Sequence, residues 1–194
     1  MENEKQLTES ESFEIIQSMI FKAKDELEDD SFHYLLWGWL VFSASVSSYI
    51  LGYMNYDKPW LPWLLMPLGG FASFFYGMKQ GKKRKVKTYV DEVMSYVLIA
   101  FLISLCMVLV FQTKLQLNTY PMVLMVYGLW LFISGGAIKF KPLIVGGIIN
   151  WLIGIISFFV TLDVQLLLLA AAVLLGYIIP GHMLKAKFQK LKAA

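Results

Sequence analysis

Six stretches of this chain contain no Asp, Glu, Lys or Arg: residues 31–56, 59–78, 93–113, 115–138, 142–162 and 164–184. All 17 basic and 14 acidic residues lie outside them. Each run is long enough that, at about 1.5 Å per residue, it covers a hydrocarbon core of roughly 30 Å as a helix. The expected fold is all-α, a polytopic membrane protein with six transmembrane helices in a compact bundle. The spans are expected near 32–54, 60–78, 93–112, 120–138, 142–161 and 164–183 within a transmembrane domain over 31–184. An acidic amphipathic cytoplasmic helix over 1–30 precedes it, and a basic cytoplasmic tail over 185–194 follows.

The spans and their connectors consume nearly all 194 residues, so no soluble catalytic domain is expected among them. A secretory signal begins basic and runs at once into a short apolar core. This chain begins Met1-Glu2-Asn3-Glu4, so its first span is expected to be an uncleaved anchor. Cys106 is the single cysteine and sits in mid-span, which argues for a small packing residue rather than a disulfide or thiolate cluster. Asp, Glu, Lys and Arg, on which intramembrane enzymes and proton-coupled carriers generally rely, are missing from these runs. HExxH, GxSxG and phosphate-binding glycine-loop motifs are missing too. The sequence therefore predicts no catalytic residue, no metal, no cofactor and no nucleic-acid partner.

Lys and Arg in short loops favour the cytoplasmic side. With the N-terminus inside, 15 of the 17 basic residues fall in cytoplasmic segments, and only Lys58 and Lys114 fall outside. Both termini are thus expected in the cytoplasm. Tyr53, Tyr56, Trp60 and Trp63 at one end, with Tyr34, Trp37 and Trp39 at the other, fit interfacial anchors. Trp130 and Trp151 lie deeper and read as packing residues.

Lipid gives little hydrophobic drive for helix association, so small side chains must allow close approach. They recur as Ala44, Ser48 and Gly52; Gly69, Ser73 and Gly77; Gly128 and Gly135; Gly146 and Gly154; and Ala172 and Gly176. Short loops predict that consecutive helices are antiparallel neighbours. Pro142 suits a first helical turn, Asp163 is placed to cap the last span, and Pro67 predicts a kink in the second.

Asn150 is read as the side-chain amide in the middle of a span, and its polar group favours a neighbouring helix over lipid. A structural clamp is favoured there over a substrate or ion contact. Ser43, Ser45, Ser47 and Ser48 are expected to return their hydroxyl protons to their own helix. His33 begins the first span and His182 ends the sixth, so both are expected at the cytoplasmic face. Two histidines without a spacing motif make a poor metal signature.

Thr8 and Glu11 fit a capping box, and Phe13, Ile16, Ile20, Ala23 and Leu27 then trace one helical face. Residues 1–31 hold ten acids against three lysines, while the rest of the chain is net basic. An acidic amphipathic helix is a poor ligand for an anionic leaflet, so its stripe calls for a protein partner, a second copy or the bundle itself. Docking is expected beside Lys82, Lys83, Arg84, Lys85 and Lys87, whose simpler role is to set topology and touch anionic lipid.

The run EIIQSMIFKAK at 14–24, followed by YLLWGWLV at 34–41, resembles the start of an uncharacterised family of small bacterial six-helix integral membrane proteins. The resemblance covers about a fifth of the chain. It implies the bacterial inner membrane and carries no activity or site residue. The expected function is non-enzymatic: an accessory, regulatory or sensory subunit acting through contacts with a membrane or cytoplasmic protein, or with itself. The alternative is a small transporter or channel for a neutral or lipid-like solute, lined by Asn150 and the first-span serines.

Overall fold

The computed structural model describes the backbone of residues 9–81 and 89–193, and the side chains of 31–79 and 89–190. These residues form helices without a strand. Helix α1 is Glu9–Tyr53. A 3-10 turn, Leu61–Leu65, leads into α2, Met66–Gly81. Then come α3, Tyr89–Val110; a single turn, α4, Gln112–Leu115; α5, Thr119–Ala137; and α6, Lys141–Ser157. A last rod combines α7, Leu162–Val173, a π-helical turn, Leu174–Ile178, and α8, Ile179–Ala193.

Five of these helical segments are long and apolar enough to cross a membrane, which supports a multi-pass membrane protein. The expectation was six. The remaining rod, α6, has 17 residues and covers only about 26 Å.

The core consists of α1, α5, α6 and the last rod. In α1 the buried positions Tyr34, Gly38, Val41, Ser45 and Ser48 alternate steps of four and three, the period that keeps one face on a neighbour. That face meets the last rod along its length. A Cβ on Gly38 would lie 2.9 Å from Ile178 Cγ1, and one on Gly181 would lie 2.9 Å from Leu35 Cδ2, so the first and last rods run antiparallel at close range.

The tightest pair is α5 with α6. Their glycines face each other: a Cβ on Gly147 would lie 2.8 Å from both Gly128 O and Phe132 N, and one on Gly135 would lie 2.8 Å from Ile144 N. Gly154 faces Leu124 on the same seam. Gly146 faces away from it, toward the last rod, where a Cβ on Gly146 would lie 2.8 Å from Gly176 Cα. The adjacent glycines 146 and 147 thus serve two different interfaces.

Helix α1 is one uninterrupted element of 45 residues, about 68 Å long, that runs through residue 31. Several expectations are corrected by this arrangement. Consecutive helices are not always neighbours: α2 leans on α1, α3 leans on α5, and among the described residues α2 and α3 make no extended contact with each other. No side chain of α3 is buried. Pro67 causes no mid-helix kink. Residues 61–65 wind as a 3-10 turn, so α2 begins only at Met66 and Pro67 lies in its first turn, where an N–H is not needed. The residue flanking α7 is Thr161, in extended conformation, while Asp163 sits in the first turn, where a carboxylate meets the helix dipole favourably. Tyr34 is no surface anchor but is 6 % exposed, within the core.

The turns have plain causes. After α1, Asn55 takes φ 53° and the amides of Asn55 and Tyr56 bond Gly52 O and Leu51 O. After α5, Lys139 takes φ 52° and the amides of Lys139 and Phe140 bond Gly136 O and Gly135 O. Both are Schellman closures, which tie up carbonyls that the helix end leaves free.

Candidate functional site

The most distorted backbone in the core is the π-helical turn Leu174–Ile178. Pro180 supplies the physical reason. It cannot donate to the carbonyl of residue 176, and its ring would collide with that carbonyl in a regular helix. A widened turn before it relieves both problems. The turn presents Gly176 to one side and Tyr177 to another.

On the Gly176 side, Asn150 of α6 reaches across. Its Nδ2 donates to Ala172 O of α7 at 3.2 Å and to Gly146 O of its own helix at 2.8 Å. Asn150 is fully buried, and a Cβ on Gly176 would collide with its amide nitrogen. The bond joins two rods where both backbones are closest. Its Oδ1 has no partner.

On the other side, the Tyr177 ring meets Tyr127 of α5 edge-on at 5.5 Å and Tyr34 of α1 at 6.2 Å. Tyr177 is 5 % exposed, and its hydroxyl has no hydrogen-bond partner. Phe101 of α3 continues the aromatic chain to Tyr127 and to Trp130, at 6.1 and 5.2 Å. Three rods, α1, α5 and α6, therefore meet this turn, and α3 reaches it through Tyr127.

A second polar node lies toward the opposite end of the rods. Gln165 of α7 is buried, and its Nε2 lies within bonding distance of Leu117 O at 2.9 Å, Ser157 O at 2.9 Å and Val160 O at 3.2 Å. One amide thereby ties the α4–α5 connector, the end of α6 and the turn into α7. Gln165 is absent from the residues that the sequence singles out, where Asn150 stands as the amide of interest. The signal is present all the same, because an uncharged amide two residues after Asp163 is inside an apolar run. Tyr177 is absent from them too, and Pro180 inside the last charge-free run is its signal.

The histidines are placed differently from each other. His33 is half-buried, with its ring edge-on to Tyr76 of α2 at 5.5 Å, and Phe32 stacks on Tyr76 at 4.1 Å. His182 is exposed on α8. Among the described residues no group of three His, Cys, Asp or Glu side chains gathers. Ser43 returns its hydroxyl to Trp39 O at 2.8 Å, but the hydroxyls of Ser45 and Ser48 are buried without a partner, against the expectation for all four serines. Trp151 donates to Met125 O at 3.1 Å and lies against Gly128 and Phe132. Cys106 is exposed on α3.

Phe13, Ile16, Ile20 and Leu27 belong to the backbone of α1, but their side chains lie outside the described residues. Lys82, Lys83, Arg84, Lys85 and Lys87 lie wholly outside them. The docking expectation therefore has no geometry to meet.

Comparisons with known protein families, with curated proteins and with solved structures found no match to this chain. What the site offers chemically is a buried amide oxygen, a buried phenol and a distorted turn. These suit neutral hydrogen bonding and helix registration.

Proposed function

We propose that this is a non-enzymatic multi-pass protein of the bacterial inner membrane, with both termini cytoplasmic, that acts as an accessory or regulatory subunit through protein contacts. The supporting observation is the continuity of α1. Positions 13, 20 and 27 stand at seven-residue steps from the buried Tyr34, Val41 and Ser48, and no break in the helix separates the two sets. A straight α-helix drifts by about 20° per heptad, so positions 13, 20 and 27 stand about 60° around the rod from the positions three heptads on. A partner that grips residues 9–30 thereby acts on a rod whose far half is seated against the π turn. The helix is a strut between an acidic handle and the core.

The test is purification in a mild detergent. A stoichiometric partner, or a defined self-oligomer, is expected. Two residues inserted after Asp30 rotate the handle by about 200°, whereas a seven-residue helical insertion returns it to nearly the same face. The first insertion is expected to abolish the association and the second to preserve it. Association that survives the two-residue insertion refutes the strut.

A second reading has its own observation. The last rod carries a π turn at mid-length, and π turns within helices are frequent at functional sites. With the unpartnered Asn150 Oδ1 and Tyr177 hydroxyl, it favours a small carrier for a neutral solute. Specific flux into liposomes holding only this protein would select that reading over the first.

A further inference from the structure

A groove of about 320 Å³ runs between α6 and the last rod at the end of the bundle that carries the C-terminus. Its apolar walls include Val145 and Ile149 on one side and Leu175, Ile179 and Met183 on the other. Val145, Leu175, Ile179 and Met183 all stand exposed, although the helices behind them are in close contact at Gly146 and Gly176. Both walls end in a cation. On α6 the groove closes at Lys141, which lines it. On the last rod the four-residue steps 175, 179 and 183 lead to Lys187, whose Nζ lies 5.5 Å from the centre of the Phe140 ring, next to Lys141 in the chain.

We infer that this groove binds an anionic phospholipid, with one acyl chain along the apolar walls and the phosphate between Lys141 and Lys187. The charge pattern selects that occupant. An apolar channel open to the surroundings fits a hydrocarbon chain, and two lysines at its one polar end fit a negative head group at the depth where head groups lie. An extended peptide would leave its backbone polar groups unpaired along these walls. The proposed site uses none of the lysines between residues 82 and 87. It rests on membrane insertion of the bundle and not on the subunit reading, so insertion is scored independently by resistance to alkaline carbonate extraction.

The full-length protein is reconstituted in nanodiscs of equal phosphatidylglycerol and phosphatidylcholine, released, and its retained lipids are counted by native mass spectrometry. Wild type is expected to retain phosphatidylglycerol preferentially. Near a membrane surface each basic residue contributes about 1 kcal/mol, so Lys141→Gln and Lys187→Gln should each reduce the preference about fivefold. Lys114→Gln, on the far side of the bundle, should leave it intact. Val145→Trp fills the channel and keeps both charges, and it is expected to remove retention of either lipid at this site. Equal retention of the two lipids by wild type overturns the inference. So does unchanged retention in Val145→Trp, which would mean diffuse attraction to surface charge, and so does displacement by millimolar inorganic phosphate, which would mean a site for the free anion.

Discussion

Gly135 and Gly136 are adjacent in α5, yet the same substitution should act on them differently. A methyl at Gly135 would lie 2.8 Å from Ile144 N, 2.8 Å from Leu143 Cβ and 3.0 Å from Ile144 Cγ1. One of these is backbone and another belongs to a fully buried leucine, so relief requires α5 and α6 to separate. A methyl at Gly136 meets nothing within 4 Å. Exchange of Gly for Ala in a helix gains up to about 1 kcal/mol from propensity, slightly less near a helix end. This gain is common to both variants and cancels in their difference. What remains is the overpacking cost at Gly135, about 1–3 kcal/mol. Equilibrium unfolding in mixed micelles of mild detergent and dodecyl sulfate measures that difference. Gly136→Ala should match or exceed the native stability and Gly135→Ala should fall below Gly136→Ala by that amount. Equal midpoints and slopes for the two variants would mean that the α5–α6 seam is loose, and the account of a glycine-packed hairpin would fail.

Asn150→Ala removes the bond to Ala172 O and should lower stability by about 1 kcal/mol in the same assay, typical of an inter-helix hydrogen bond in a membrane. Gln165→Leu should cost more, about 2 kcal/mol, because three carbonyls lose their shared donor, and proteolysis in the 111–118 connector should accelerate. Lys139→Gly should stabilise the chain by about 1 kcal/mol, since an L-residue at φ 52° carries a penalty that glycine avoids; an unchanged or lowered midpoint would contradict the assigned turn. Cys106, exposed on a helix with no buried side chain, should resist a charged maleimide in membranes and react with it once the chain is unfolded in dodecyl sulfate, and labelling in intact membranes would place that part of α3 in water.

Charge-free runs made the helical class and the position of the rods legible in the sequence, because burial of charge in hydrocarbon is costly whatever the packing. Neighbour relations were less legible. Short loops predicted adjacency for α2 and α3, but adjacency also needs small or complementary side chains at the same depth, and α3 has bulky Leu, Ile and Val on all sides with no glycine. The site divided in the same way. An isolated Asn in an apolar run announces its need for a partner, whereas the importance of Tyr177 depends on Tyr34 and Tyr127 arriving from rods more than 40 residues away along the chain. Pro180 was a local clue to the distorted turn, but which residue the turn would bury depended on the partner rods. The end of the first span was similarly ambiguous. A change from acidic to apolar composition at residue 31 marks a change of solvent, and a helix can pass through such a boundary without breaking.

Those differences in packing determine where the molecule can move. The α5–α6 pair is joined through glycine backbones, α6 is joined to the last rod through Asn150, and α1 is joined to that rod through Gly38 and Gly181. Interdigitated contacts of this kind resist sliding, since any shift brings backbone against backbone. By contrast α2 touches α1 through Gly69 on Leu40 and the Phe32–Tyr76 stack, and α3 touches α5 through the rings of Phe101, Tyr127 and Trp130. Aromatic faces can slide past one another at small cost. Under the subunit reading proposed above, a force applied along α1 would pass into the last rod, and the π turn is where one hydrogen-bond register could change for another. The rings around that turn connect the change to α3, the rod held least by buried contacts. The rigid core would transmit, the turn would switch, and the outer helix would report.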